Sequence, residues 1–168
     1  LPFHNESFDV VTALDVLEHI ADDAEAVSEW QRLLKPGGKL LITVPAYQWL
    51  WSEHDESLHH FRRYTATSLH RLLNRAGFRI LKRTYAICFS FPLIVGYRLL
   101  RSILPWQRRC PSYVILPRLM NSLLAGLLSI EGQLLRFLNV PLGTSVLMIA
   151  EKAPCTETAY QYSSVEGA

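Results

Sequence analysis

Two short apolar runs, separated by one helical pattern, constrain the fold of this chain more than any other feature of its sequence. The first run, Phe8 to Val16, is rich in valine, and the second extends from Lys39 to Val44. Between them apolar residues recur at helical spacing, and Asp22 or Asp23 can cap the start of that helix. This order predicts a right-handed βαβ unit, and hence an α/β sheet with buried parallel strands.

The residues around the second strand predict where regular structure stops. Pro36 is expected to end the first helix, and Gly37 and Gly38 to form the turn after it. Residues 47–64 mix aromatic, histidine and charged side chains and fit neither the helical nor the strand period. They are therefore predicted to form a loop or short helices.

Three further elements complete the predicted core. Thr65 or Thr67 is expected to cap a helix that Gly77 closes. Residues 78–87 alternate loosely and predict a third strand, and residues 145–150 predict a fourth.

A helical insertion is predicted before the last strand. Phe89 to Leu104 is apolar but too short and too charged for a membrane span. Tyr113 to Leu138 predicts a helix with a single narrow polar stripe, which indicates nearly complete apolar surroundings. The stripe consists of Arg118, Ser122, Gly126, Ser129, Gln133 and Arg136. Two placements remain open: packing as a hairpin in the core, or seating in a bilayer interface.

Composition narrows the class of protein. The 168 residues correspond to one domain, and an apolar share of 49% indicates a globular chain. Three cysteines without a CxxC pair argue against a disulfide framework or a zinc ribbon, and they fit a reducing cytoplasm. No signal-peptide pattern opens the chain. The predicted location is cytoplasmic.

The charges are unevenly distributed along the chain. Residues 1–56 carry eleven acidic residues against three basic ones, whereas residues 57–130 carry twelve basic residues and no acidic one. Such an asymmetry predicts a positive face that meets phosphates or anionic lipid. The alternative is a solvated basic surface whose counter-charges lie on the acidic half.

Four motifs in register carry a resemblance to a known family. Together they closely resemble the second half of class I S-adenosylmethionine-dependent methyltransferases, of the type 11 and type 23 groups. The motifs are Leu1-Pro2-Phe3, Ser7-Phe8-Asp9-Val10-Val11, Asp15-Val16-Leu17-Glu18-His19 and Leu34-Lys35-Pro36-Gly37-Gly38-Lys39-Leu40.

This resemblance implies a fold and a division of the chain. The expected fold is an incomplete doubly wound, Rossmann-like methyltransferase sheet with a helical insertion before the last strand. Residues 1–88 would be the C-terminal part of the methyltransferase core and residues 89–140 the insertion or lid. Residues 141–153 would carry the last strand, and residues 154–168 a flexible tail.

The resemblance also implies where the cofactor S-adenosylmethionine lies. The end of the first strand would face its methionine and sulfonium side, in line with the rule that α/β sheets bind ligands beyond the carboxyl ends of their strands. The residues concerned are Ala13, Leu14, Asp15, Val16 and His19. The family's glycine-rich loop is expected upstream, and none of the eight glycines here forms a GxG pair. We therefore expect a fragment that binds the cofactor weakly and is inactive by itself.

A histidine- and arginine-rich run supplies candidates for the chemistry. Imidazoles titrate near neutrality and can take a proton from an acceptor hydroxyl, so His59 or His60 is the predicted base. Paired guanidinium groups can grip phosphate or carboxylate. The predicted substrate-binding residues are Tyr47, His54, Arg62, Arg63 and Tyr64. The alternative is a hydrogen-bonded lid with no role in proton transfer.

A metal site is not favoured by the sequence, but one set of residues suggests it. Asp15, Glu18 and His19 would share one face of a helix and could hold a divalent ion. This run is similar to the acid-x-x-Glu-His pattern of ubiquinone-pathway O-methyltransferases and small-RNA 2′-O-methyltransferases. Asp15 could equally end the strand and cap the next helix.

The acceptor is the least determined part of the function. A basic, apolar insertion beside an aromatic loop favours an amphiphilic or lipid-linked small molecule, with peripheral contact at the inner face of an anionic membrane. Nucleic acid is disfavoured because apolar helices add nothing to the binding of a polyanion. The alternatives are a non-catalytic methyltransferase-like binding domain, a metal-assisted RNA 2′-O-methyltransferase and, less favoured, half of a nicotinamide dehydrogenase.

Overall fold

A computed structural model describes residues 1–96 and 117–153, which form a four-stranded sheet flanked by helices. The strands β1 (Phe8–Leu14), β2 (Leu34–Pro45), β3 (Phe78–Ala86) and β4 (Ser145–Lys152) lie in the order β1-β2-β4-β3. Strands β1 and β2 are parallel, and β4 runs antiparallel to both of its neighbours. This topology confirms the predicted α/β, Rossmann-like sheet. The described helices are α1 (Asp23–Leu33), α2 (Glu53–Ser57), α3 (Ala66–Arg75), α4 (91–96) and α5 (Arg118–Leu134). Along the chain, α1 lies between β1 and β2, α2 and α3 between β2 and β3, and α4 and α5 between β3 and β4. Two 3-10 turns, Leu17–His19 and Gln48–Leu50, precede α1 and α2.

The βαβ unit forms as predicted, but its first strand is more exposed than expected. Asp22 caps α1 by accepting a hydrogen bond from the Glu25 amide at 2.9 Å, and the helix buries Val27 and Trp30. In contrast, Ala13 is the only buried residue of β1, and the side chain of Val10 is 56% exposed. The prediction of a buried first strand was wrong, because β1 is the edge strand of the sheet in the described part of the chain.

The glycine turn after α1 is a bulge within β2 and not a separate loop. Phe8 pairs with Leu34, and the next pair is Val10 with Lys39, so the residues between Leu34 and Lys39 arch out of the ladder. Gly37 makes the arch possible with a φ of +76°, which favours glycine. The helix ends at Leu33, before Pro36 is reached.

The second helix of the core follows its sequence closely. Thr65 caps α3, since its hydroxyl accepts a hydrogen bond from the Ser68 amide at 3.1 Å. Leu69 and Leu73 are completely buried, and Gly77 ends the helix with a φ of +84°. These residues hold α3 against the sheet and leave residues 47–64 as the link between β2 and α3.

Helix α5 departs most from expectation. Its polar stripe predicted apolar surroundings, yet its large apolar side chains are exposed, from Leu127 at 41% to Leu119 at 75%. Glu131 is its only buried residue. The carboxylate of Glu131 accepts hydrogen bonds from the Cys88 amide at 2.9 and 3.1 Å, which ties the helix to the end of β3. Core packing along the whole helix is therefore not observed.

Some sequence predictions fall on residues that the structure does not describe. The segment 89–104 is described only to residue 96, and the predicted helix 113–138 only from residue 117. The predicted tail, 154–168, lies wholly outside the described residues. Within residues 1–96 and 117–153, no helix is long and apolar enough to cross a membrane.

Candidate active site

The candidate site lies where the parallel strands β1 and β2 end at the same edge of the sheet. Asp15 follows β1 in the left-handed conformation, with a φ of +51°. Its amide bonds the backbone oxygen of Thr43 at 3.0 Å, and its carboxylate accepts from the Thr43 hydroxyl at 3.2 Å. The chain then turns through Leu17–His19, which brings Glu18 and His19 to this edge.

A buried carboxylate organises the loop that follows β2. Asp55 is fully buried and closes the capping box of α2 with Ser52, whose amide lies 2.8 Å from Oδ2. Arg63 binds both carboxylate oxygens, with Nε 2.7 Å from Oδ1 and Nη2 3.0 Å from Oδ2. Burial alone would raise the pKa of Asp55, but the hydrogen bonds from Arg63 and His60 lower that pKa to about 2. The carboxylate is therefore ionised at neutral pH.

His60 is oriented by this carboxylate. Its Nδ1 lies 3.0 Å from Oδ1 of Asp55, and its side chain is 8% exposed. An ionised carboxylate at that distance favours a proton on Nδ1, so Nε2 is the nitrogen that can take a proton or bind a ligand. His59, the other predicted base, is exposed and has a φ of +55°.

Two contacts join His60 and its neighbour Phe61 to the turn after β1. The amide of Phe61 donates to the backbone oxygen of Glu18 at 2.7 Å. The imidazoles of His60 and His19 lie edge to face, with ring centroids 4.6 Å apart. The loop after β2 and the turn after β1 thus form one site.

Glu18 is buried at the base of this site. Its side chain is 1% exposed, and its Oε2 has no hydrogen-bond partner within the described residues. Burial raises the pKa of Glu18, and the nearby charge of Asp15 adds to the effect. One candidate ligand atom from each of Glu18, His19 and His60 lies within 4.8 Å of the others. His60 therefore joins Glu18 and His19, whereas the carboxylate of Asp15 contacts Thr43.

The predicted substrate-binding arginines already have protein partners. Arg62 contacts the carboxylate of Asp23 at 2.9 Å and also bonds the backbone oxygen of Ala21. Arg63 is held by Asp55, and its Nη1 donates to the backbone oxygen of Ala46 at 3.1 Å. Both guanidinium groups therefore brace the loop in this structure.

The other predicted substrate-binding residues differ in exposure. Tyr64 is buried, and its hydroxyl donates to Asp23 at 2.9 Å, whereas His54 is exposed on α2. Tyr47, with a φ of +57°, stacks on Tyr85 with ring centroids 5.1 Å apart. Their roles, like those of His59 and His60, remain predictions.

The role of Asp55 in holding His60 and Arg63 was not predicted from the sequence. Asp55 lies in the histidine-rich run, but no role was inferred for it. The signal was present: a serine three residues before an acidic residue marks a capping box. That pattern could have predicted that Ser52 and Asp55 cap a short helix just before His60.

Comparison with known proteins identifies the domain. A family model described as a methyltransferase domain matches residues 2–83. A probable S-adenosylmethionine-dependent methyltransferase of Mycolicibacterium smegmatis is 39% identical over 82 residues, which is 48% of this chain and 32% of that protein. Residues 2–83 form part of a class I methyltransferase domain. The family's cofactor is S-adenosylmethionine, as the resemblance implied.

A further comparison defines the extent of this likeness. A ubiquinone biosynthesis O-methyltransferase of Saccharophagus degradans is 42% identical over 41 residues, 24% of this chain and 17% of that protein. The chain thus spans about a third or less of the length of these curated relatives.

Solved structures show the same fold. An S-adenosylmethionine-dependent methyltransferase from Archaeoglobus fulgidus superposes with a TM-score of 0.51 at 16% identity, covering 89% of this chain and 61% of that one. The [4+2]-cyclase SpnF superposes with a TM-score of 0.52 at 20% identity, covering 92% and 53%. The methyltransferase fold therefore also occurs in a protein named for a different reaction, and the activity has to be argued from the site.

The end of β1 fits the methionine part of the cofactor. Leu14 and Val16 expose apolar side chains, at 53% and 42%, on either side of the exposed carboxylate of Asp15. Apolar side chains suit the aliphatic chain of the methionine moiety, and a carboxylate suits its ammonium group. Ala13 is buried beneath them, and His19 is exposed at the same edge.

Proposed function

We propose that the whole protein transfers a methyl group from S-adenosylmethionine to a hydroxyl group of an amphiphilic acceptor. The observation that carries this proposal is the His60 imidazole, which is held by the buried Asp55 and contacts His19 in the turn after β1. The cofactor supplies a methyl group already activated by its sulfonium centre. The residues of the domain then have to align the acceptor, exclude water and deal with the hydroxyl proton.

His60 is the residue best placed to act on the acceptor hydroxyl. Asp55 fixes the orientation of the ring, as an orienting carboxylate does for a histidine base. Two routes fit this geometry. Nε2 can accept the hydroxyl proton directly, or it can help to bind a cation that makes the hydroxyl more acidic; the second route is argued in the next subsection.

The proposed activity is tested with methyl-labelled S-adenosylmethionine and the purified whole protein. Cell extract serves as the acceptor source and is separated after reaction into lipid, small-molecule and nucleic-acid fractions. We expect label in the lipid or organic-soluble fraction, attached as a methyl ether by mass spectrometry. Label in RNA would favour the 2′-O-methyltransferase alternative, label on nitrogen would contradict the hydroxyl assignment, and no turnover would favour the non-catalytic reading.

Two matched variants test the role of His60. We expect His60→Gln to lower kcat by about 10²- to 10⁴-fold, the usual contribution of a positioned acid or base. The neighbouring His59→Gln should change kcat by less than about 3-fold, because His59 is exposed and is not held by Asp55. Equal effects of the two variants would contradict the assignment.

The amphiphilic acceptor and contact with a membrane surface are proposed from α5. The helix exposes Leu119, Leu123 and Ile130, and its residues 118–130 end the acid-free stretch 57–130, which carries twelve basic residues. Exposed leucines beside a basic chain fit the interface of an anionic membrane, where each engaged lysine or arginine contributes about 1 kcal/mol. An acceptor with a lipid tail would be presented at the same surface.

Vesicle co-sedimentation of the whole protein tests this contact. Binding should rise with the anionic lipid content and fall with salt, since the Debye length is only about 8 Å at physiological ionic strength. The double variant Leu119→Ser, Leu123→Ser should lose binding, whereas Leu81→Ser, an exposed leucine of β3, should retain it. Protein that stays in the supernatant with anionic vesicles at low salt would rule the proposal out.

A further inference from the structure

The carboxylate of Glu18 is buried, and one of its oxygens has no hydrogen-bond partner among the described residues, which is rare in proteins. The side chain is 1% exposed, and Oε2 lacks a hydrogen-bond partner within residues 1–96 and 117–153. Leaving a buried polar group without a partner destabilises the folded protein, and more so when the group is charged. Native structures satisfy nearly all such groups, so an exception calls for a partner that is not a protein atom.

Two imidazoles are positioned to share such a partner with Glu18. The candidate ligand atoms of Glu18, His19 and His60 all lie within 4.8 Å of one another. Around a tetrahedral zinc ion with bonds of about 2.0 to 2.2 Å, ligand atoms are separated by roughly 3 to 4 Å. Small rotations of the two histidine side chains would therefore bring the three groups to bonding distance.

The surroundings of the group have the features of a metal site. Asp55 is fully buried and contacts Nδ1 of His60 at 3.0 Å. A carboxylate in this position fixes the ring of a metal-binding histidine and increases its basicity. Exposure increases from Glu18, which is buried, through His60 to His19, which is exposed. The cluster of Glu18, His19 and His60 is thus closed to solvent at Glu18 and open to solvent at His19.

We propose that Glu18, His19 and His60 bind a divalent transition-metal ion of the zinc class. Two imidazoles and one carboxylate suit zinc and similar ions better than magnesium, which prefers oxygen ligands and keeps much of its water. Three protein ligands with an open fourth position are the arrangement of catalytic zinc sites. This set differs from the Asp15, Glu18 and His19 set that the sequence suggested, because Asp15 contacts Thr43 and His60 takes its place.

The role of the ion rests on the proposed methyl transfer to a hydroxyl. The acceptor oxygen would occupy the open position, where a bound cation makes its hydroxyl more acidic. The O–H bond breaks and its proton passes to water; the oxygen forms the new bond to the methyl carbon. The electron pair of the broken carbon–sulfur bond returns to sulfur, so no further reactant is needed.

Direct binding measurements test the site independently of activity. Chelator-treated whole protein is titrated with Zn²⁺ by calorimetry, and with Co²⁺ by visible absorption, which reports a low-coordinate site. We expect one ion per chain. Glu18→Gln and His19→Ala should each weaken binding by at least about 10-fold, and Asp55→Asn by about 10- to 100-fold through the orientation of His60.

The control is His4→Gln, which removes an exposed histidine outside the group. It should leave the affinity unchanged, and circular dichroism of each variant checks that the fold is retained. Zn²⁺ should also shift the imidazole NMR signals of His19 and His60 in the unaltered protein, a readout that needs no variant. Absence of these shifts, or equal affinities in Glu18→Gln, His19→Ala and the unaltered protein, would overturn the proposal.

Methyl-transfer assays then distinguish a failure of the proposed metal site from a failure of the proposed function. Full methyl transfer in excess chelator, with no ion bound, would exclude the cation and leave His60 as the direct base. Ion binding that depends on Glu18 and His19, without any methylation of a hydroxyl, would preserve the site and remove the proposed function.

Discussion

The loop after β2 and helix α5 reverse the usual relation between composition and burial. The loop, residues 47–64, is polar and charged, yet it buries the side chains of Asp55 and Tyr64 and nearly buries Arg63. Helix α5 is rich in leucine, yet it buries only Glu131. In both regions a buried carboxylate anchors the segment: Asp55 through Arg63, His60 and Ser52, and Glu131 through the Cys88 amide.

The comparison shows that partners, and not polarity, decide which groups are buried. Asp55 is tolerated inside because each of its oxygens accepts hydrogen bonds from positively charged or capping groups. Most leucines of α5 stay exposed because the described part of the chain does not cover them. The loop is thus held by partners from its own chain, whereas α5 leaves most of its apolar side chains exposed among the described residues.

The largest effect is expected from removing the charge of Asp55. Asp55→Asn leaves Arg63 nearly buried without its counter-charge, and breaking a buried pair in this way costs about 3 to 5 kcal/mol. Urea denaturation of the whole protein measures the loss. Asp9→Asn, which breaks the exposed pair with Lys35, should cost less than about 1 kcal/mol and serves as the control. Similar losses in the two variants would mean that the loop is not held by its buried charge.

A smaller effect is expected from acid. The pKa of Asp55 is about 2 in the folded protein, below its ordinary value of 3.8, so its ionised form stabilises the fold. That contribution is fully present above pH 4 and is lost as the pH falls towards 2, by about 2 kcal/mol in all. Unfolding measured between pH 5 and 2 should show this slope, and Asp55→Asn should reduce it. An unchanged slope in the variant would assign the acid sensitivity to other carboxylates.

The anchor of α5 should contribute less than that of the loop. Glu131→Ala leaves the amide of Cys88 without its acceptor, at an expected cost of about 1 to 3 kcal/mol. Gln133→Ala, at an exposed position two residues away, is the matched control and should be close to neutral. Thermal unfolding distinguishes the two. Equal midpoints would show that the helix is not attached through Glu131.

The smallest effect is expected on the exposed face of α5. Leu123 is 61% exposed, so Leu123→Ala should change the free energy of unfolding by less than about 0.5 kcal/mol. Leu69→Ala on α3, at a completely buried position, should cost about 2 to 5 kcal/mol. If Leu123→Ala lowers the free energy of unfolding by nearly as much as Leu69→Ala, the leucines of α5 are covered by protein in the whole molecule. The contrast between α5 and the loop after β2 would then fail.

Elements defined by local signals could be predicted from the sequence. Each cap was narrowed to two candidates, because a side-chain acceptor before an apolar periodic run satisfies the first free amides of a helix. The structure selects Asp22 over Asp23 and Thr65 over Thr67. Gly77 was identified because it ends α3 in a conformation that favours glycine. The methyltransferase motifs, which lie between Leu1 and Leu40, indicated the family through their order and spacing, and the family model matches residues 2–83.

The site could be predicted only in part. Residues 54–60 were recognised as chemically rich, and His19 was placed at the end of β1, but their meeting depends on contacts across the sheet edge. The edge-to-face contact of His19 with His60 joins residues 41 positions apart, and no local pattern encodes it. The set of Glu18, His19 and His60 was missed for this reason, and a helical spacing rule suggested Asp15 instead.

What the sequence by itself determined was the order of strands and helices, their caps, the family of the domain and the chemical character of the loop, because each depends on neighbours along the chain. The tertiary structure alone decided burial and partnership. Val10 became exposed because β1 is an edge strand in the described residues, and most leucines of α5 because nothing described covers them. Asp55 became a buried anchor because Arg63 and His60 converge on it, and a buried charge is stable only where such partners meet it in space.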